Sequence, residues 1–339
     1  MNQNFDRESL RQRLGRMEQL ASIRRAVLDD GKGRGMRVID IRNASGLALT
    51  VYPDKGLDLG PADFEGLPLT WMTPNGPVAP AFYDPEGFEW LRTWSGGLLT
   101  SCGLLNVGGP CETAEGRQGL HGRADHIPAE EVSTRAGWQD DGRYLLEVTG
   151  RIAHTKVFGE KLVVTRAIRA YLGEPAVEIV DRTENAGFAT LPLMQLYHMN
   201  FGWPLVGETT EIVAKPHETT PQNDYCRDNL ADWSRFSAPV PGFAEQVFYH
   251  DIPADEDGFC RATLANRGTG LSVTVAFRKA ELPYLVQWKM SGQGEYVCGL
   301  EPANCVPEGQ PAVAGKGILR HIEPGQVVET AIRVSVSRR

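Results

Sequence analysis

The stretch "KLVVTRAIRAYLGEPAVEIVDRTEN", residues 161–185, decides the fold class. Two runs of period-two alternation, 161–172 and 175–185, are separated only by Gly173-Glu174, the signature of a tight β-hairpin. Successive strand side chains point to opposite faces, so this period marks a sheet packed on one side and wet on the other. The habit recurs upstream, where "YLLEVTGRI" (144–152) sets Leu146, Val148 and Ile152 against Glu147, Thr149 and Arg151. It recurs again in "AIRVSVSRR" (331–339), with Ile332, Val334 and Val336 opposite Arg333, Ser335 and Ser337. Thirty-seven glycines and 22 prolines punctuate these short runs at sandwich-like spacing. One short helix is expected at the N-terminus, capped by Asp6 or Ser9, with Leu10 and Leu14 four apart on one face. No repeat, low-complexity tract or composition shift divides the chain. Residues 1–339 therefore read as one all-β domain, a large antiparallel sandwich with a short N-terminal helix.

Composition narrows the function classes. A chain of 339 residues can bury a large core. Its formal net charge of -8 argues against nucleic acid or an anionic membrane as partner. No window approaches the roughly 18 apolar residues of a membrane span. The opening "MNQNFDRESLRQRLGRMEQ" lacks the apolar core of a secretory signal, and six cysteines (102, 111, 226, 260, 298 and 305) show no CxxC pairing or dense framework. A cytoplasmic protein with reduced thiols, monomer or homodimer, is the expectation.

Sheets of this kind bind small molecules with side chains drawn from several strands and loops. Four segments carry unusual polarity. In "WLRTWSGGLLTSCGLLNVGGP" (90–110), Arg92 can fork onto sugar hydroxyls or a carboxylate while Trp94 stacks on a sugar face. The glycines there do not form a dinucleotide fingerprint, because no βαβ pattern surrounds them. In "GLHGRADHIPAEE" (119–131), His121 lies beside a glycine that lets a ligand approach closely. No HxH or HExxH spacing supports a metal there, and no metal or other cofactor is expected. In "LMQLYHMNFGWPL" (193–205), His198 shares a face with Met194 and Leu196 at an expected strand end, before Asn200, Gly202 and Pro204 break the pattern. In "YLVQWKMSGQGEYVCGLEPANC" (284–305), the second strand is expected to stop at Glu301-Pro302, with Trp288 and Lys289 on its partner. Lys289 reads as a solvated charge before it reads as a site residue. A histidine and a carboxylate facing a polyol suit proton transfer at two oxygens, one as acid and one as base.

With these segments in hand, the sequence resembles the aldose 1-epimerase (galactose mutarotase-like) superfamily, in its DUF4432-type branch. The resemblance rests on "PDKGLDLG" (53–60), "RTWSGGLLTSCGL" (92–104), "GLHGR" (119–123), "LYHMNFGWPL" (196–205) and "GLEPAN" (299–304), in that order. It implies a β-supersandwich with a sugar groove across one sheet, and a cofactor-independent isomerase that exchanges sugar anomers through ring opening. It also implies His198 as the acid at the ring oxygen and Glu301 as the base at the anomeric hydroxyl. His121 is similar to a second, substrate-binding histidine and Arg92 to a sugar-binding arginine, while Trp94 and Asn200 lie in matched motifs. The chain departs from the Thr-His-aromatic-Asn pattern at Tyr197-His198-Met199-Asn200, and Arg123 stands where many mutarotases have glycine. Arg123 and Lys289 would suit a sugar acid, phosphate or sulfonate. Two other readings remain: a non-catalytic carbohydrate-binding protein, and a metal-assisted sugar epimerase using His121, His126, His198 and Glu301.

Overall fold

The computed structural model describes residues 5–338; residues 1–4 and 339 lie outside it. Three antiparallel sheets dominate. The hairpin that opened the sequence reading forms as expected: Lys161–Tyr171 and Ala176–Asn185 pair antiparallel, and Gly173 takes φ 75° in the turn between them, where a side chain would be strained. These strands lie inside an eight-stranded sheet that ends on one side at Glu130–Trp138 and on the other at Thr210–Val213. A five-stranded sheet runs from Ala21–Val27 to Leu67–Pro68. The expected N-terminal helix spans Arg7–Arg13, with the Asp6 carboxylate accepting from the Ser9 N–H at 2.9 Å. No described helix is long and apolar enough to cross a membrane.

The third sheet positions the site. Its six strands follow the order Glu218–Pro221, Gln246–Asp251, Tyr284–Ser291, Tyr296–Ala303, Met194–Gly202 and Thr100–Leu104. Strand parity splits its side chains between two cores. Tyr197, Met199, Phe201, Cys298 and Leu300 enter the main apolar core, shared with Leu146, Val148, Ile179 and Val334 of the eight-stranded sheet. Met194, Leu196, Val247, Tyr249 and Val286 face the other way, into a smaller cluster roofed by Trp90 and Trp94. The outer face of this sheet, under loop segments, is where a cavity forms.

One buried ionic knot ties the three sheets together. Arg166 forks onto its cross-strand partner Asp181 (2.8 and 2.7 Å) and reaches Asp58 Oδ1 at 2.6 Å. Asp58 begins a strand of the five-stranded sheet and accepts from the Ser101 N–H (2.7 Å) in the six-stranded one. Tyr197 of that same sheet donates its hydroxyl to Asp181 (2.8 Å). Asp58 thus acts as a strut between sheets and lies away from the cavity wall.

Two strand ends differ from the sequence expectation. The 194–202 strand continues past His198 to Gly202, and the 296–303 strand continues past Glu301 to Ala303, so both residues sit within central strands. Pro302 is accommodated because pairing with the 194–202 strand skips that step: Met199 pairs with Leu300 and Leu196 with Ala303, and the ladder is interrupted between them.

Candidate active site

The register that pairs Leu196 with Ala303 and Met199 with Leu300 sets His198 directly opposite Glu301. Their side chains meet on the outer face of the sheet, His198 Nε2 lying 3.2 Å from Glu301 Oε1. Both are buried, at 5% and 2% exposure. Gly299 precedes Glu301 on the same face, between Trp288 and Asn200 in the ladder. A Cβ at Gly299 would overlap the Glu301 carboxylate, so the absent side chain makes the room that carboxylate occupies.

The pair lines a cavity of about 290 Å³. That lies near the lower end of the ~300–1,000 Å³ usual for small-molecule sites, a size for a monosaccharide rather than a chain of sugars. Its walls are aromatic: the Trp94 ring lies 5.2 Å and the Trp288 ring 5.5 Å from that of His198, and Trp90 stacks on Trp94 at 5.0 Å. Trp94 is held by its indole N–H, which donates to Thr100 Oγ1 at 3.0 Å. Leu120, Val247 and Val286 add apolar surface, and Glu245 and Gln222 bring polar groups.

His121 arrives from the loop above. Its backbone adopts φ 56°, a left-handed conformation rare outside glycine and concentrated at functional sites. The strain is held by close approach: a Cβ on Gly122 would collide with the Gly103 carbonyl, Gly103 N–H donates to His121 O, and His121 N–H donates to Gly108 O. Gly108 N–H in turn donates to His121 Nδ1 at 3.4 Å, which leaves the ring proton on Nε2. The His121 and His198 rings sit 5.9 Å apart.

Burial governs the protonation of these groups. It drives His198 down to about 3, helped by neighbouring His121, and drives His121 down to about 4. Burial, with the charge of Glu245 adding to it, pushes Glu301 well above the usual carboxylate range. Burial therefore favours a neutral imidazole beside a protonated carboxyl, one shared proton on the pair. His198 Nδ1 and Glu301 Oε1 have no hydrogen-bond partner, an arrangement tolerated only where the fold keeps polar atoms for another purpose.

The other expected site residues divide. Trp94 and His121 line the cavity with the pair. Arg92 does not: it sits in the short helical turn Glu89–Arg92, two residues from Trp90 and Trp94, and turns outward to Glu89 at 2.5 Å with its side chain 77% exposed. Arg123 is exposed and off the wall. Lys289 is buried on the face opposite Trp288, where its ammonium donates to the Asp232 carbonyl at 2.9 Å. Asn200 is a scaffold group, its amide donating to Gly97 O (3.1 Å) and His198 O (3.0 Å). His126 leaves the proposed metal quartet: its Nδ1 meets Asp125 at 2.8 Å and its Nε2 meets the Lys55 ammonium at 3.1 Å. Among the described residues no three His, Cys, Asp or Glu side chains converge as a metal site.

Several wall residues escaped the sequence reading. Trp90 stands four residues before Trp94, the spacing that puts two side chains on one face of a helical turn and Arg92 on the other. Trp90 also donates its indole N–H to Asp125 (3.0 Å), which fixes that wall from behind. Glu245 and Gln222 carry no signal that separates them from solvated polar residues.

A family model described as "Domain of unknown function (DUF4432)" matches residues 33–336. No curated protein matches the chain in sequence. Among solved structures, a candidate aldose 1-epimerase from Klebsiella pneumoniae subsp. pneumoniae MGH 78578 superposes with TM-score 0.88 at 24% identity, over 94% of this chain and 86% of that one. A galactose mutarotase-like protein from Clostridium acetobutylicum gives TM-score 0.66 at 13% identity, over 95% and 100% of the two chains. The galactose 1-epimerase of Lactobacillus acidophilus NCFM gives 0.62 at 12%, over 94% and 99%. At these identities the likeness establishes a shared fold, the mutarotase-like β-sandwich.

Proposed function

The chain belongs to the DUF4432 family, and from its acid–base cavity we propose that it is an aldose 1-epimerase-like isomerase, exchanging the anomers of a monosaccharide without a cofactor. The observation that carries this reading is the His198–Glu301 pair, opposed across two central strands at 3.2 Å in a Trp-walled cavity of monosaccharide size. Aromatic faces stack on the C–H face of a pyranose, and His121 presents a ring N–H to its oxygens.

In this reading Glu301 removes the proton of the anomeric hydroxyl as His198 delivers one to the ring oxygen, and the C1–O5 bond breaks to give the open-chain aldehyde. Rotation about C1–C2 and reclosure with the proton movements reversed give the other anomer. The proton count on the pair never changes, and ring opening converts imidazolium and carboxylate into imidazole and carboxyl. That neutral combination is the one burial favours, so the reacting arrangement forms by a shift of the shared proton from Glu301 to His198 and relaxes as the ring opens. The likeness in fold to solved structures named as a candidate aldose 1-epimerase and a galactose 1-epimerase supports the same reading.

Two expectations follow for the pair. Gly299→Ala crowds the Glu301 carboxylate without touching the main core. It should lower anomer exchange by about 10–100-fold through misplacement of the base, while urea unfolding moves by less than about 1 kcal/mol. An equal loss of stability and activity would make Gly299 a folding residue instead. The second expectation concerns pH. Because His198 takes a further proton only near about 3 and burial raises Glu301 well above the usual carboxylate range, the pair gains no second proton in mildly acid solution. kcat/KM for anomer exchange should not fall as pH drops from neutrality to about 5, and its loss should come on the alkaline side, as the pair gives up its proton. A sigmoidal change centred near pH 6.5 would show an imidazole titrating as if exposed. Exchange spectroscopy on a panel of aldoses tests the function itself.

A further inference from the structure

The charge balance of the cavity carries one step more. Its wall holds two acidic residues, the buried Glu301 that keeps its proton and the exposed Glu245 that carries the charge, and no lysine or arginine. The basic residues that would suit an anionic sugar face elsewhere: Arg92 toward Glu89, Lys289 toward the Asp232 carbonyl, and Arg123 away from the wall. Glu245 is fixed at the start of the 246–251 strand by the Trp288 indole, which donates to its Oε2 at 2.8 Å. It has no cationic partner among the described residues. Beside it the faces of Trp288 and Trp94, 5.7 Å apart between ring centres, form a concave aromatic corner. Deeper in, Glu301 Oε1 is buried and faces His198 Nε2 at 3.2 Å. Aromatic rings grouped around a carboxylate recognise ammonium groups, through the ring quadrupole and through charge.

We infer that the cavity takes an amino sugar, an aldose whose protonated amine meets Glu245 against Trp288 while its anomeric centre faces His198 and Glu301. This assignment rests on the proposed anomer exchange, whose substrate class it names. A bound ammonium would also offset the charge that Glu245 exerts on Glu301, which favours the ionised base. An anionic sugar meets only like charge here, and a neutral one leaves the Glu245 carboxylate to water.

The test is binding, measured by calorimetry on the full chain with glucosamine, galactosamine, glucose, N-acetylglucosamine and glucuronate at low and high salt. Because Glu245 is exposed at the rim, the expected gain is modest: the two amino sugars bind roughly three- to tenfold tighter than glucose, and the gain shrinks with salt. N-acetylation, which removes the charge, and Glu245→Gln should each abolish it, and glucuronate should bind weakest. Equal affinity for glucosamine and glucose, or a preference that survives Glu245→Gln, overturns the assignment. The two readings fail separately. Anomer exchange on neutral sugars with no amine preference overturns the amine assignment alone. Amine-selective binding without exchange on any sugar overturns the isomerase reading and leaves the charge assignment standing.

Discussion

Glu301→Gln and His198→Asn are each expected to lower anomer exchange by about 10²–10⁴-fold, the usual worth of one positioned acid or base. Both keep the approximate shape and some hydrogen bonding, and each removes a titratable group. Stability should hardly change. Glu301 is held largely as a neutral carboxyl by burial, so a neutral amide replaces like with like. His198 Nδ1 bonds to nothing, and the one group facing its Nε2, the Glu301 carboxyl, still borders the cavity when the imidazole is removed. A core histidine behaves in the opposite way: removing it leaves buried donors or acceptors unsatisfied at about 1–3 kcal/mol, with the activity of the surviving fold near normal. Thermal melts and exchange rates on the same two variants therefore separate the roles. A clear loss of melting temperature with full activity for His198→Asn would make it a structural residue.

The second large effect lies outside the cavity. Arg166→Met removes the guanidinium that neutralises Asp58 and Asp181 and leaves two buried carboxylates with no cation in contact. Breaking a buried ion pair from one side typically costs about 3–5 kcal/mol, and urea unfolding should show a loss of that size. Arg166→Lys should recover little of it, because an ammonium cannot fork onto Asp181 and also reach Asp58. A loss under about 1 kcal/mol would mean that water enters the knot and the three sheets hold without it.

The sheet class was legible because alternation is a local property of strands such as 144–155 and 161–171, whose packed faces are continuous. Strand ends were less legible. Asn200 and Pro302 read as breakers, yet both central strands run through them because one neighbouring strand keeps the pairing, Gly299 with Asn200 and Leu285 with Pro302. In the site, His121, His198, Glu301 and Trp94 were found from residue type and motif, and the structure brings them to one cavity. Arg92 and Lys289 were misdirected for geometric reasons that the sequence does carry. Arg92 lies two residues from each stacked tryptophan of its turn, and Lys289 alternates with Trp288 along one strand. Glu245 was invisible because its part depends on Trp288, 43 positions away in the chain.

The central claim is that the cavity exchanges anomers at the His198–Glu301 pair. The most direct measurement is NMR exchange spectroscopy on aldoses at anomeric equilibrium, including glucose, galactose and glucosamine, with the purified chain and with Glu301→Gln beside it. The expected result is α–β cross-peaks that grow in proportion to wild-type enzyme for at least one sugar and fall to the uncatalysed level with the variant. Cross-peaks unchanged by wild-type enzyme across the panel, or equally enhanced by Glu301→Gln, would contradict it.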